Sequence, residues 1–218
     1  MAETYCGKKI QRRRPPRFEL TGGAVCLDFV NTLDDRYTNE PKELLKTYID
    51  LARFGEDTGI LRTREVDQLF TRSQTSPEEA KRALTAAIEL REVMYAVLWA
   101  IVNKKTAPRS ALMTLNQFVQ EAAQHAQLVE TNGRFEWKFE EALSFDAPLW
   151  PIARSAADLL SSDQLAFVRP CAARTCLWLF LDTSKNHRRR WCDMTKCGNR
   201  AKFQRFYTRK KTRMKEQG

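Results

Sequence analysis

Four cysteines, Cys171, Cys176, Cys192 and Cys197, fall in two pairs, with four residues inside each pair and fifteen between them. Thiolates are soft ligands, and four of them placed tetrahedrally close the coordination shell of Zn²⁺. The spacing within a pair is wider than the common two-residue knuckle but inside the range that zinc loops use. A shell of four sulfurs leaves no position for water, so one zinc per chain would build structure and perform no reaction. His187 lies between the pairs and is a rival ligand, since three sulfurs and one imidazole also satisfy zinc. Four cysteines already fill the shell without it.

Little else in the chain has catalytic spacing. Asp34 and Asp35, like Glu140 and Glu141, are adjacent in sequence, and adjacent side chains on a helix point apart. Neither a nucleophile elbow nor a HExxH helix is present. Gly22-Gly23 completes neither a P-loop nor a dinucleotide fingerprint, and is expected at a turn where one backbone approaches another. His125 falls in a predicted helix without a partner pattern and is expected to be structural. These residues predict a binding module and no catalytic site.

Charge points to the kind of partner. From Arg169 to Gly218, fifteen Lys/Arg stand against three acids, a net charge of +12 in a chain whose total is +10. Residues 1–17 carry +5, so residues 18–168 sum to −7. A basic arm and a basic metal module flanking an acidic body is the footprint of a polyanion binder, because each cation set against a phosphate releases condensed counterions. Arg188, Arg189 and Arg190 precede the second cysteine pair, where they could meet phosphates or guanine edges. On a terminal helix expected from Asn199 to about Arg213, Lys202, Arg205, Arg209 and Arg213 recur at three- and four-residue steps as a basic stripe. Phe203, Phe206 and Tyr207 occupy the neighbouring face and are expected to pack on Trp178 and Trp191. Arg200 has two candidate roles, contact with nucleic acid or bonding of backbone carbonyls in the knuckle. Asn199 is expected to cap the helix, and Gly198 to allow a left-handed turn.

The run from Trp191 to Lys202, WCDMTKCGNRAK, with Arg189-Arg190 before it, closely resembles the CGNR zinc-finger family, named for the tetrapeptide at Cys197–Arg200. Phe18 to Leu33, FELTGGAVCLDFVNTL, looks like the opening of that family's amino-terminal ABATE domain. The resemblance implies a bacterial transcription regulator with DNA as its partner.

These features need a scaffold. Residues 1–17 are expected to form a flexible basic arm, either a solvated tail or a groove-tracking segment. Residues 18–163 are expected to form a mainly helical domain, and residues 164–218 the four-cysteine finger. Apolar periodicity places helices at about 24–33, 43–53, 63–71, 77–102, 109–127 and 151–160. Gly55 and Gly59 are expected to end the second of these. The fourth is opened by a Ser76-Pro77-Glu78-Glu79 capping box. Phe18–Leu20 is expected as a short strand. Asn132-Gly133 is a two-residue hairpin turn, with Phe135, Trp137 and Phe139 alternating after it. Leu177–Leu181 reads as a strand buried against the terminal helix. The expected fold is therefore mainly α with a small β-hairpin (α+β), carrying a treble-clef-like or knuckle-type zinc module.

RNA, or a protein partner of a zinc-stabilised module, is the alternative to DNA. A small-molecule effector and a homodimer are compatible with the helical domain. No apolar run approaches the ~20 residues that span a bilayer, and no secretory h-region opens the chain. Four of six cysteines sit in metal-type pairs, and Cys6 and Cys26 lie in unlike contexts, which predicts a reducing cytoplasm.

Overall fold

Pro77 opens the longest helix, α4 (Pro77–Val102), at the one helical position where a missing N–H is harmless. The computed structural model in which α4 is seen describes residues 17–139, 144–204, 206 and 207. The capping box does not close, since the Ser76 side chain makes no cap bond and its backbone sits at φ −129°, ψ 59°. The other helices are α1 (Val25–Val30), α2 (Tyr48–Thr58), α3 (Thr63–Thr75), α5 (Arg109–Gln124) and α6 (Leu149–Leu160), and α4 touches all five. Its central position explains why Ala83, Ala87, Leu90, Val97 and Leu98 are all buried, a wider face than one amphipathic stripe.

Several boundaries differ from the expected ones for local reasons. Instead of running to Leu33, α1 stops at Val30, and Leu33–Asp34 (β1) pairs antiparallel with Lys42–Glu43 (β2). The second helix starts at Tyr48, five residues late, because the Asp50 carboxylate accepts bonds from the backbone amides of Lys46 and Thr47 and fixes the entry turn. Gly55 continues that helix; Gly59, at φ 80°, ends it. The fifth helix ends early at Gln124, and the chain enters β3 (Ala126–Thr131), which pairs with β4 (Arg134–Phe139). Asn132 and Gly133 both have positive φ, 52° and 74°, as a type I′ turn requires. His125 thus sits at a helix end, its ring stacked 3.7 Å from that of Trp150. Phe18–Leu20 forms no strand, although Phe18 is buried edge-on against Phe54 at 5.4 Å.

The basic arm expected over residues 1–17 lies outside the described residues apart from Arg17. That residue is held on the body, with its amide donating to Asp57 at 2.6 Å and its guanidinium paired with Asp50. A second cation is deeper. Arg91 is 2% exposed and grips the Glu43 carboxylate with two bonds of 2.6 and 2.7 Å. Burial opposes its charge, and the carboxylates of Glu43 and Glu92 outweigh that opposition. Arg91 also reaches Thr32, tying α4 to the end of α1.

After α6, a 3₁₀ turn (Asp163–Phe167) leads into β5 (Val168–Pro170), which pairs antiparallel with β6 (Leu179–Leu181). Alternation along a strand sends neighbouring side chains to opposite faces, and here the two faces belong to two cores. Leu179 and Leu181 join the helical core, whereas Phe180 joins a small cluster with Ala173 and the four C-terminal cysteines. The strand is therefore buried against the body and the metal module together, and no described residue of the expected terminal helix joins either core.

Two polar contacts lock β6 to the body. The Asn31 side chain donates to Leu179 O and accepts from Leu179 N, both at 2.9 Å. The Leu181 amide donates to Gly22 O at 2.7 Å. Gly23 (φ 84°) lies so near that an added Cβ would be 3.2 Å from Leu181 Cβ, so the glycine pair is the backbone-to-backbone approach that the sequence predicts. Asn31→Ala leaves the Leu179 N–H and C=O buried without partners, and should lower unfolding stability by about 2–4 kcal/mol. Denaturant unfolding measures this loss, and hydrogen exchange at Leu179 should accelerate with it. An unchanged midpoint would refute the role given to this amide.

Candidate metal centre

The first cysteine pair is set by the end of β5. Cys171 N donates to Trp178 O, and Ala172 N to Arg190 O, each at 2.8 Å, so the two metal loops are stitched together by backbone bonds. Of the second pair, Cys192 precedes a turn of π-helix, Met194–Gly198, and Cys197 lies within it. The Asp193 carboxylate caps it, accepting from Thr195 N at 2.6 Å and Lys196 N at 2.9 Å. Asp193 thus takes the capping role expected of Asn199, whose side chain instead donates to Thr195 O. Gly198 is not in the left-handed region; it is buried, and an added Cβ would fall 2.5 Å from Met194 Sδ. The neighbouring atoms all belong to the flexible, half-exposed Met194 side chain, so neither backbone twist nor fixed bulk demands glycine there.

All four sulfurs are buried and lie within 4.8 Å of one another. Cys176 Sγ is 3.5 Å from Cys192 Sγ, which is 3.7 Å from Cys197 Sγ. Zinc–sulfur bonds of about 2.3 Å in a tetrahedron place sulfurs roughly 3.8 Å apart, whereas a disulfide holds them at about 2 Å. Donor chemistry and spacing both fit one structural Zn²⁺, which Cys171, Cys176, Cys192 and Cys197 would hold with no open position. Without a cation the thiols share protons unequally. Hydrogen bonding with Cys176 and Cys192 draws Cys171 well below the usual thiol range, and the bond with Cys171 pushes Cys176 up. A dication stabilises all four thiolates at once and expels their protons.

His187 has other work. Its Nδ1 donates to Asp182 O at 2.8 Å, and its ring stacks 3.9 Å from Phe167, outside the sulfur cluster. Asp182, 1% exposed, organises the segment between the pairs, accepting from the amides of Ser184 and Arg189. Burial would raise its carboxyl, but the Ser184 hydroxyl and these amides outweigh burial and hold it below the ordinary value.

Arg189 is turned inward. Its Nε donates to Trp191 O at 2.8 Å, its Nη2 to Cys192 O, and its guanidinium lies 4.6 Å over the Phe180 ring. The carbonyl-bonding role considered for Arg200 belongs to Arg189. Arg200 is exposed and donates to Thr175 Oγ1 at 3.3 Å. Arg188, Arg190 and Lys202 are exposed as well. Arg205, Arg209 and Arg213 lie outside the described residues. Lys196 pairs with Glu19 of the body. The aromatic face does not pack as expected. Trp178 and Trp191 already cover the small cluster, and Phe203, Phe206 and Tyr207 are left exposed. Sequence reasoning missed Asp182 and gave Arg189 to nucleic acid rather than to the knuckle, although an acid among so many cations is a usable signal for the former.

Comparison with known families gives two matches. A family model described as "ABATE: Putative stress-induced transcription regulator" covers residues 23–163. A second, the CGNR zinc finger, covers residues 168–210. No curated protein sequence matches the chain. Among the described residues, no helix is long and apolar enough to cross a membrane.

Because β6 serves both cores, losing the metal should weaken the body too. Cys192→Ser should abolish zinc retention and also lower the melting temperature of the helical signal. Elemental analysis and thermal circular dichroism test the two halves, and an unmoved helical transition would show the cores to be independent. Arg189→Gln keeps every ligand yet removes the bonds to Trp191 O and Cys192 O. It should speed zinc loss to a chelator, whereas Arg190→Gln should leave that rate at the wild-type value.

Proposed function

Because the chain belongs to the ABATE family and ends in a CGNR zinc finger, we propose that it is a DNA-binding, non-enzymatic transcription regulator whose finger grips duplex phosphates. The observation that carries this reading is charge placed on a fixed scaffold. The segment from residue 169 holds a net +12, and its two described acids, Asp182 and Asp193, are both spent on internal bonds. Among the described residues of this segment, the charges left fully exposed are cations. Arg188, Arg190, Arg200 and Lys202 are exposed there, and the sequence adds Arg205, Arg209 and Arg213. Most protein–DNA hydrogen bonds go to the backbone, so these residues are assigned to phosphates. Arg189 is assigned to holding the knuckle that presents them.

The helical body is the place for regulation. Its first helix ends at Asn31, whose side chain grips β6, so an effector or a second copy acting on the body would be felt at the strand that carries the finger. Duplex binding measured across salt concentrations tests the proposal. Replacing Arg188, Arg190 and Lys202 with Gln should weaken binding and flatten the salt slope by about 0.9 for each phosphate no longer neutralised, with zinc content and helicity unchanged. Equal affinity and slope in wild type and variant would refute it. Tighter binding to structured RNA than to duplex DNA would move the assignment to RNA.

A further inference from the structure

Phe203, Phe206 and Tyr207 stand at i, i+3 and i+4 in a helical segment, the spacing that places side chains on one face. They are 62%, 63% and 52% exposed. The Phe203 and Tyr207 ring centroids are 4.5 Å apart, and those of Phe206 and Tyr207 5.7 Å, so the rings form one cluster. The small core of the finger does not need them, since Phe180, Ala173 and the cysteines fill it and the two tryptophans flank it. Three adjoining aromatic rings in water are a feature that the phosphate-gripping role leaves unused.

Charge selects what covers them. In sequence the rings lie within a segment of net charge +12, close after Arg200 and Lys202, which favours a polyanion with an apolar interior. Nucleic acid has one, in its stacked bases. The ring geometry then decides how a base would be met. A base held between two rings needs two stacking spacings of about 3.4 Å each. Gaps of 4.5 and 5.7 Å, with the ring planes inclined at 48° and 86°, offer no such slot. One ring of such a cluster, backed by the other two, can instead enter a base step, unstacking it and bending the duplex.

We propose that Phe203, Phe206 and Tyr207 form a wedge that inserts at a base step of duplex DNA and kinks it while the surrounding cations hold the phosphates. This rests on the DNA-binding reading and adds the mode of engagement. Pyrimidine–purine steps, above all TA, unstack most readily and are the preferred sites.

The test uses full-length, zinc-loaded protein and short duplexes labelled at both ends, with bending read from energy transfer and affinity from titration across salt. Wild type should shorten the end-to-end distance and prefer a duplex with a central TA step. The double variant Phe203→Ala, Phe206→Ala should lose the bend and about tenfold or more in affinity, yet keep the wild-type salt slope and zinc content. Phe203→Leu, which restores apolar bulk, should retain most of the bend. An unchanged bend and affinity in the double variant overturns the wedge but leaves phosphate binding standing. So does a loss of self-association, or of binding to anionic vesicles, with DNA bending intact, since the rings would then face a second copy or a lipid surface. Tighter binding to single strands than to duplex overturns it too. Failure of wild type to bind any duplex overturns the DNA-binding reading itself.

Discussion

One side-chain amide joins the two halves of this protein. A primary amide carries a donor and an acceptor side by side, and Asn31 sets both against the backbone of Leu179. It does for β6 what a neighbouring strand would do, on the edge that β5 leaves open, and Gly22 O completes that edge at Leu181. Without these partners a buried strand would present unpaired amide groups to an apolar core, a costly arrangement. The rest of the same sequence block serves the same end. Asp28 accepts the Gly22 amide at 2.7 Å and closes the turn, while Thr32 accepts from Arg91 on the central helix. Each polar residue of the Asp28–Thr32 stretch with a side-chain bond is thus an anchor, and the short helix between them is a bracket for a strand far away in sequence.

The second organising constraint is the sorting of charge within the metal module. Cations crowded around four thiolates would repel one another unless something fixes the loops, and the module fixes them from inside. Asp182 and Asp193 each accept several backbone bonds, and Arg189 spans the carbonyls of Trp191 and Cys192. Charge turned inward orders the backbone, and charge turned outward remains available to a partner. The metal matters for the same reason. It neutralises sulfurs that could not otherwise ionise together, and so permits a dense basic surface over a core too small to hold its shape by burial alone.

The sequence makes some of this legible and hides the rest. The four cysteines and the CGNR tetrapeptide announce the metal site because ligand spacing is a local property. The long helix after Pro77 and the Asn132-Gly133 hairpin are legible for the same reason. What sequence reading misses depends on tertiary partners. The apolar run Leu177–Leu181 is equally consistent with several burial schemes, and nothing local says that Leu179 and Phe180 point into different cores. Helix periodicity carries α1 on to Leu33, whereas Asn31 is claimed by a backbone group on β6. Arg91 sits in an apolar stripe between Ala87 and Met94, a buried cation whose position alone points to an acidic partner. The aromatic face after Gly198 reads as core by composition, but Trp178 and Trp191 flank the finger's core and these rings stay exposed.

The clasp between Asn31 and Leu179 spans 148 residues, which has a bearing on how the chain is made. During synthesis the N-terminal bracket is complete long before its strand exists. The helices between can form as they emerge, because their backbone bonds are local, but the groove meant for Leu179 and Leu181 stays open until that strand follows. Long-range closure of this kind is slow compared with helix formation, and an apolar groove waiting on a growing chain is exposed to wrong partners. A message cut short before the codon for Leu179 would therefore yield a helical body missing a strand of its own core, and not a smaller working domain.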